Sequence, residues 1–123
     1  MIHLDTCFLI KALVHGSAED QRLRVWLSAG EILGISSVGW AEFLCGLLTP
    51  SHFGLARRVV TVQVPFDAEA ARLAAILFNA GGRRRGSLLD CMIAATAIEE
   101  QASLATTNRT DFRRFAEHGL TVI

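Results

Sequence analysis

Hydrophobic positions in the 123-residue chain fall into short blocks separated by polar punctuation, and the spacing inside each block predicts an element. Ile2 to Leu4 is too short to assign by periodicity alone, and reads as a strand ahead of the helical pattern that follows it. Phe8, Leu9, Ile10, Leu13 and Val14 then take up helical spacing, closed by Gly16. Ser17 caps a second helix with Glu19 and Asp20 in its first turn, where the helix dipole favours acids, Leu23, Trp26 and Leu27 along one face, and Gly30 at its end. Ile32 to Ile35 is the next strand. Ser36 or Ser37 caps a helix that runs to Leu48 and is ended by Thr49-Pro50, and a short helix follows from Phe53 to Arg58. Val59 to Val64 is rich in β-branched residues and reads as a strand stopped by Pro65. Asp67 caps an amphipathic helix with Ala70, Leu73, Ala74, Leu77 and Phe78 inward and Gly81 after it. The chain closes with a helix from Ser87 to Glu100, a strand from Leu104 to Thr106, a helix from Asp111 to His118 before Gly119, and a strand from Leu120 to Val122.

Short apolar strands that alternate with helices predict a parallel sheet covered on both faces. The fold class is therefore α/β, a three-layer α/β/α architecture around a central parallel sheet of about four to five strands. Ligands in such a fold bind beyond the carboxyl ends of the strands. At 51% hydrophobic and 20% charged residues, residues 1–123 have the apolar mass for one domain and too little length for two. The longest apolar stretch, Ile32 to Ala56, carries Glu42 near its middle and Pro50 beyond it, so no membrane span is expected. Three cysteines without close pairing do not form a disulfide framework, and Met1-Ile2-His3-Leu4-Asp5 has no basic stretch leading an apolar run. Both points favour a cytoplasmic protein.

Formal net charge is zero, which excludes the global pull on polyanions of a strongly basic domain and leaves only local contacts. The basic residues are eleven arginines and the single Lys11, a bias toward forked contacts with phosphate or carboxylate. Three arginines, Arg83, Arg84 and Arg85, sit in a glycine-flanked segment from Gly81 to Gly86. That segment reads equally as a clamp for a nucleic-acid backbone, a dock for an acidic partner, or a solvated loop.

The acids carry the chemistry. Asp5 follows the first strand directly, where a side chain either points into the ligand crevice or caps the next helix. Glu42 is the only formal charge between Glu31 and Arg57, on a helix whose neighbours include Val38, Trp40, Phe43, Leu44, Leu47 and Leu48. A carboxylate there needs a metal, a cation or a distant arginine beside it. Asp90 stands three residues after Ser87, the spacing of a capping box, yet it opens the apolar run Cys91 to Ile98, which predicts a buried helix whose first turn faces the sheet edge. Asp111 lies across the polar loop Thr107-Asn108-Arg109-Thr110 from the fourth strand and reads as a fourth acid or a first-turn residue. Such a set of carboxylates repels itself without cations. Oxygen-only ligation suits Mg2+ or Mn2+, and a pocket of that kind hydrolyses phosphodiesters.

Other chemistries fit less well. A haloacid-dehalogenase phosphatase needs an acid where Cys7 stands, a receiver domain needs a lysine late in the fold, and no Gly-x-x-x-x-Gly-Lys loop exists. Cys7, Cys45 and Cys91 each lie within three residues of an acid, which raises a zinc reading with His3 or His52, but their spacing matches no paired-ligand motif and small buried hydrophobe is the ordinary role. Nine aromatic residues, none a tyrosine, fall mostly on apolar helix faces, so no base-stacking platform is expected.

In order and spacing, four segments resemble the PIN-domain ribonucleases and, among them, the VapC-type toxins of bacterial toxin-antitoxin pairs. These are Ile2-His3-Leu4-Asp5-Thr6, Trp40-Ala41-Glu42-Phe43, Leu88-Leu89-Asp90-Cys91-Met92-Ile93-Ala94-Ala95, and Thr106-Thr107-Asn108-Arg109-Thr110-Asp111-Phe112. The resemblance spans essentially the whole chain. It implies a Mg2+-dependent endoribonuclease with Asp5 and Asp90 as the metal ligands, Glu42 completing the pocket directly or through water, and Thr6 or Asn108 orienting it. Relatives often carry an aspartate where Asn108 stands, so either Asp111 or Asn108 takes the fourth position. Arg84 and Arg85 are the expected RNA contacts; a cognate antitoxin and a second copy of the chain, as a homodimer, are the implied partners. A catalytically silent PIN-like module that binds RNA or protein is the alternative.

Overall fold

In a computed structural model that describes residues 1–46 and 48–123, five parallel strands form one sheet in the order β3-β2-β1-β4-β5. They are β1 (Ile2–Leu4), β2 (Leu33–Ser36), β3 (Val62–Val64), β4 (Ser103–Ala105) and β5 (Thr121–Val122). The helices are α1 (Thr6–Ala12), α2 (Ala18–Ser28), α3 (Ser37–Leu44), α4 (Pro50–Val59), α5 (Ala68–Ala80), α6 (Leu88–Glu99) and α7 (Arg109–Arg113), with a 3-10 turn at Ala116–His118. The expected three-layer α/β/α architecture is therefore the one observed. β1 is central, pairing Ile2 with Leu33 on one side and with Ser103 on the other. Every residue of β1 and β2 is buried. Central parallel strands are covered on both faces, so the polar His3 and Ser36 are buried with their apolar neighbours.

Two cores fill the layers. Phe8, Leu9, Leu33, Ile35 and Phe43 belong to one, and Leu77, Ile93, Leu104, Phe112 and Phe115 to the other. Leu104 and Ala105 are adjacent on β4 yet fall in different clusters, which puts the two cores on opposite faces of the sheet. α6 is buried at Cys91 and from Ile93 to Ala97, as its apolar run predicts.

Caps set most helix starts. Ser17, Ser36, Thr49 and Asp67 accept hydrogen bonds from the amides of Asp20, Gly39, His52 and Ala70. Several boundaries depart from the sequence reading. Thr49-Pro50 does not end a helix but starts one, as N-cap and first residue of α4, a role proline fills well because its missing N–H is not needed there. The preceding helix already stops at Leu44 with Cys45 as its C-cap; Leu47, expected to extend it, lies outside the described residues. Val59 ends α4 rather than starting a strand, because Ala56 and Val59 share its buried face, and β3 is only Val62–Val64. Leu27 is 44% exposed, so the inner face of α2 is Leu23 and Trp26, with Trp26 stacked on Phe8. The helix expected from Asp111 to His118 breaks into α7 and the 3-10 turn. Three-residue bonds from the Phe115 amide to Phe112 and from the His118 amide to Phe115 tighten it there, and Gly119 at φ 101 ends it.

Candidate active site

Because all five strands are parallel, their carboxyl ends share one edge of the sheet, and the chain reverses its winding between β1 and β4. Crevices at such reversals are where α/β sheets bind ligands. Asp5 leaves β1 at this crevice, and its amide donates to the Ala105 carbonyl at the end of β4 (2.9 Å). Asp5 is 6% exposed, and both of its carboxylate oxygens accept hydrogen bonds. Oδ1 accepts from the Thr6 amide (2.9 Å), so Asp5 does cap α1, while Oδ2 accepts from the Thr106 hydroxyl (2.7 Å) and the Cys7 thiol (2.9 Å). The two roles weighed for Asp5 are therefore compatible: capping fixes a carboxylate that faces the crevice.

α3 brings Glu42 to the same place. A Cβ at Gly39 would stand 3.2 Å from Ile35 Cγ1 and 3.3 Å from Ser36 Oγ, so glycine lets the first turn of α3 lie against β2. The Thr6 hydroxyl spans the gap between α1 and α3, 3.0 Å from the Gly39 carbonyl and 3.3 Å from Glu42 Oε1. No arginine pairs with Glu42 among the described residues, which sets aside the buried salt bridge. Asp90 arrives in the first turn of α6. Ser87 makes no capping bond; its hydroxyl donates instead to the Arg84 carbonyl (2.7 Å). The capping box is therefore not formed, and Asp90 is free to face the pocket.

Asp5, Thr6, Glu42, Asp90 and Asn108 line one open cavity of about 300 Å3, together with Cys7, Ile10 and Thr107. Asp111 is not in its wall: the Asn108 side-chain amide donates to Asp111 Oδ2 (2.9 Å), and Asp111 acts on Asp90 only through space. Arg83 folds back onto α5, donating to Asn79 Oδ1 (2.7 Å). Arg84 lines a neighbouring cavity, and Arg85 is exposed and lines neither.

The electrostatics are those of crowded acids. Burial pushes the Glu42 carboxyl above the usual range, the Asp5 charge adds to this, the Thr6 hydrogen bond opposes it, and Asp90 adds again. Asp90 is likewise raised, first by burial and then by Asp5, with Arg114 opposing, Asp111 adding and Arg84 opposing. Such a pocket favours a cation. Among the described residues no three His, Cys, Asp or Glu side chains are gathered tightly enough to grip an ion unaided. Mg2+ does not demand that, since it keeps several waters and is bound through one or two carboxylates. The hard oxygens of Asp5 and Asp90 fit it; the lone Cys7 thiol does not make a zinc site.

Thr106 and Arg114 escape the sequence reading. Thr106 holds Asp5 and also accepts the Asn108 amide (2.9 Å), and Arg114 opposes the proton affinity of Asp90. The signal for Thr106 is its place at the end of the strand that pairs with β1, which only the strand order discloses.

A PIN-domain family model matches residues 2–118. Among solved structures, a chain of VapBC2 from Rickettsia felis, bound to a DNA fragment from its promoter, is 24% identical with a TM-score of 0.80, covering 100% of this chain and 98% of its own. A toxin-antitoxin complex from Klebsiella pneumoniae gives 22% and 0.76, covering 100% and 96%. Mycobacterium tuberculosis VapC20, a sarcin-ricin loop cleaving toxin, gives 18% and 0.64, covering 98% and 97%. At these identities the likeness is one of fold. Among curated proteins none is significantly similar in sequence.

The hydrogen bonds and the charges of the pocket each set an expected outcome. Thr106→Val keeps the shape but leaves Asp5 Oδ2 and the Asn108 amide short of a partner, so chemical denaturation should show a loss of about 1–3 kcal/mol; no measurable loss would mean that the Thr106 hydroxyl does not hold Asp5. The second concerns pH. A carboxyl with a raised pKa binds its proton more tightly in the folded chain, so Glu42 and Asp90 stabilise the metal-free protein increasingly as pH falls through their folded pKa values. His3 works the other way: burial, with the terminal ammonium adding, lowers it from 6.5 to about 4, so its contribution is lost as pH falls through that window. Subtracting wild type from Asp90→Asn cancels His3. Melting without metal from about pH 8 down to about pH 3.5, through the ordinary carboxylate range, should show the variant's advantage largest at the alkaline end and shrinking toward acid. A difference independent of pH would contradict the charge crowding.

Proposed function

Because the chain belongs to the PIN-domain family, we propose that it is a Mg2+-dependent endoribonuclease, the toxin of a toxin-antitoxin pair. The observation that carries this reading is the convergence of Asp5, Glu42 and Asp90, from segments far apart in sequence, on one cavity at the carboxyl edge of a parallel sheet. Asp5 and Asp90 are the ligands for the ion, with Mn2+ a substitute, and Glu42 completes the pocket. Water activation and neutralisation of charge on the phosphodiester are the chemistry that a bound divalent ion supplies there.

The chain's own residues divide the remaining work. Asp5 is held in one orientation by the Thr6 amide and the Thr106 and Cys7 side chains, so it presents a fixed charge. Glu42 and Asp90, with raised proton affinity, can hold or release a proton within the pocket. Asn108, tied to both Thr106 and Asp111, shapes the pocket's outer wall. Arg84 faces the RNA strand from the adjoining cavity, and Arg85 contacts it from the exposed loop.

A cognate antitoxin is the protein partner in this reading, since the relatives include toxin-antitoxin complexes, and a second copy of the chain is the other. No helix among the described residues is long and apolar enough to cross a membrane, and the reading places the protein in the cytoplasm.

The test uses Asp5→Asn and Asp90→Asn in an RNA cleavage assay beside thermal melting with and without Mg2+. Both variants should lose detectable cleavage. Wild type should gain melting temperature from Mg2+, because the ion binds only the folded site, whereas both variants should respond little. Asp90→Asn should be at least as stable as metal-free wild type, and Asp5→Asn, which sets an amide NH2 or a weaker acceptor against the donors from Thr6, Cys7 and Thr106, should be less stable. If Asp90 serves only the start of α6, Asp90→Asn instead loses about 0.5–2 kcal/mol with the Mg2+ response unchanged. Full cleavage by Asp90→Asn would rule the assignment out, and a wild type inert toward RNA would favour the catalytically silent module.

A further inference from the structure

A second cavity, of about 370 Å3, lies between the end of α5 and the last helical turns, with Leu77, Arg84, Arg114, Phe115, Glu117 and His118 in its wall. It shares no residue with the acid pocket, yet its two arginines adjoin segments that line that pocket: the Arg84 carbonyl accepts from Ser87 at the start of the helix whose first turn carries Asp90, and Arg114 ends the short helix that Asn108 begins. The Arg114 guanidinium lies 4.5 Å over the Phe115 ring. Its Nε and Nη2 are closed off from solvent and meet no hydrogen-bond acceptor among the described residues, and no carboxylate there stands within salt-bridge distance of it. Buried N–H donors without an acceptor are costly even on a side chain that is only half-buried as a whole. Glu117 does not supply one: its side chain is 79% exposed and its Oε1 lies 3.6 Å from His118 Nε2. The cavity thus gathers two guanidinium groups and an imidazole, and its one wall carboxylate, the exposed Glu117, stands by His118 and leaves both arginines without a partner.

We propose that this cavity seats a backbone phosphate of the RNA, next along the strand from the one held at the acid pocket, with Arg114 and Arg84 as its recognition groups and His118 at its edge. The inference rests on the ribonuclease reading. An RNA strand carries a phosphate at every nucleotide, so one bound at the acids brings further anions to an adjoining basic cavity without a second partner. Forked guanidinium groups match phosphate oxygens in geometry as well as charge. An acidic protein side chain would need a separate chain placed there, and the position of both arginines beside the segments that carry Asp90 and Asn108 favours the substrate that the acid pocket serves.

The probe is a 2′-O-methyl RNA octamer, which lacks the 2′-hydroxyl, with binding followed by fluorescence anisotropy in EDTA at several salt concentrations. The proteins are wild type, Arg114→Met, which keeps an unbranched stem over Phe115, and Arg84→Ala, at an exposed position. Each variant should bind about tenfold more weakly, and the slope of log affinity against log salt should flatten by about 0.7 for each phosphate that is no longer neutralised. Circular dichroism establishes that each is folded; should Arg114→Met not fold, Arg84→Ala alone decides. Wild-type affinity and slope in the folded variants would overturn the subsite, and would assign it to a protein partner if the same variants lost binding to a poly-glutamate peptide. A wild type that binds the octamer neither in EDTA nor with Mg2+ added also overturns it. A wild type that binds the octamer but cleaves no unmodified RNA in Mg2+ would sink the nuclease reading alone.

Discussion

The hydrogen bond from the Thr106 hydroxyl to Asp5 Oδ2, 2.7 Å long and buried, joins the carboxyl ends of the two strands between which the sheet changes direction. The carboxylate of a residue only 6% exposed is tolerated only if its oxygens are satisfied. Here the Thr6 amide takes one oxygen, and Thr106 with Cys7 takes the other. The same three contacts start α1, tie β1 to β4 and place the Asn108 amide, so the local folding of the chain and the aim of Asp5 are one arrangement. Parallel pairing is what makes it possible, because only then do Leu4 and Ala105 end their strands side by side.

Around this fixed charge the other two acids are held more loosely. Glu42 has a single side-chain partner in Thr6, and no side-chain hydrogen bond or ion pair reaches Asp90 among the described residues. Burial and mutual repulsion raise the proton affinity of both. The pocket therefore combines one oriented carboxylate with two that respond to whatever charge enters, and the same repulsion that costs stability without a cation is relieved by one. Arg114 and Arg84 temper Asp90 from the far side without neutralising it by direct contact.

Much of this was legible in the chain. Asp5 stands at a strand end, Glu42 is isolated among apolar residues, and Asp90 opens an apolar helix, and all three signals are local. The helix caps and the α/β alternation are local too. What was not legible depends on non-local pairing or on competition between two valid local rules. Thr106 became important only once β4 was placed beside β1, separated from it by about a hundred residues of chain. Thr49-Pro50 reads equally as a stop and as a start, and the early end of α3 at Leu44 decided it. Val59 and Val60 favour a strand by propensity, but Val59 was drawn into α4 by the buried face it shares with Ala56. The capping box at Ser87 was a real pattern that the hydroxyl abandoned for the Arg84 carbonyl.

That Asp5, Glu42 and Asp90 form one cation-responsive pocket is the centre of the account. Its most direct test is a pH titration of the side-chain carboxyl carbons of Glu42 and Asp90 by NMR, with and without Mg2+. Both should titrate above the ordinary carboxylate range in the metal-free protein, and both should move down when Mg2+ is added. Ordinary titration of the two groups, unaffected by Mg2+, would contradict it.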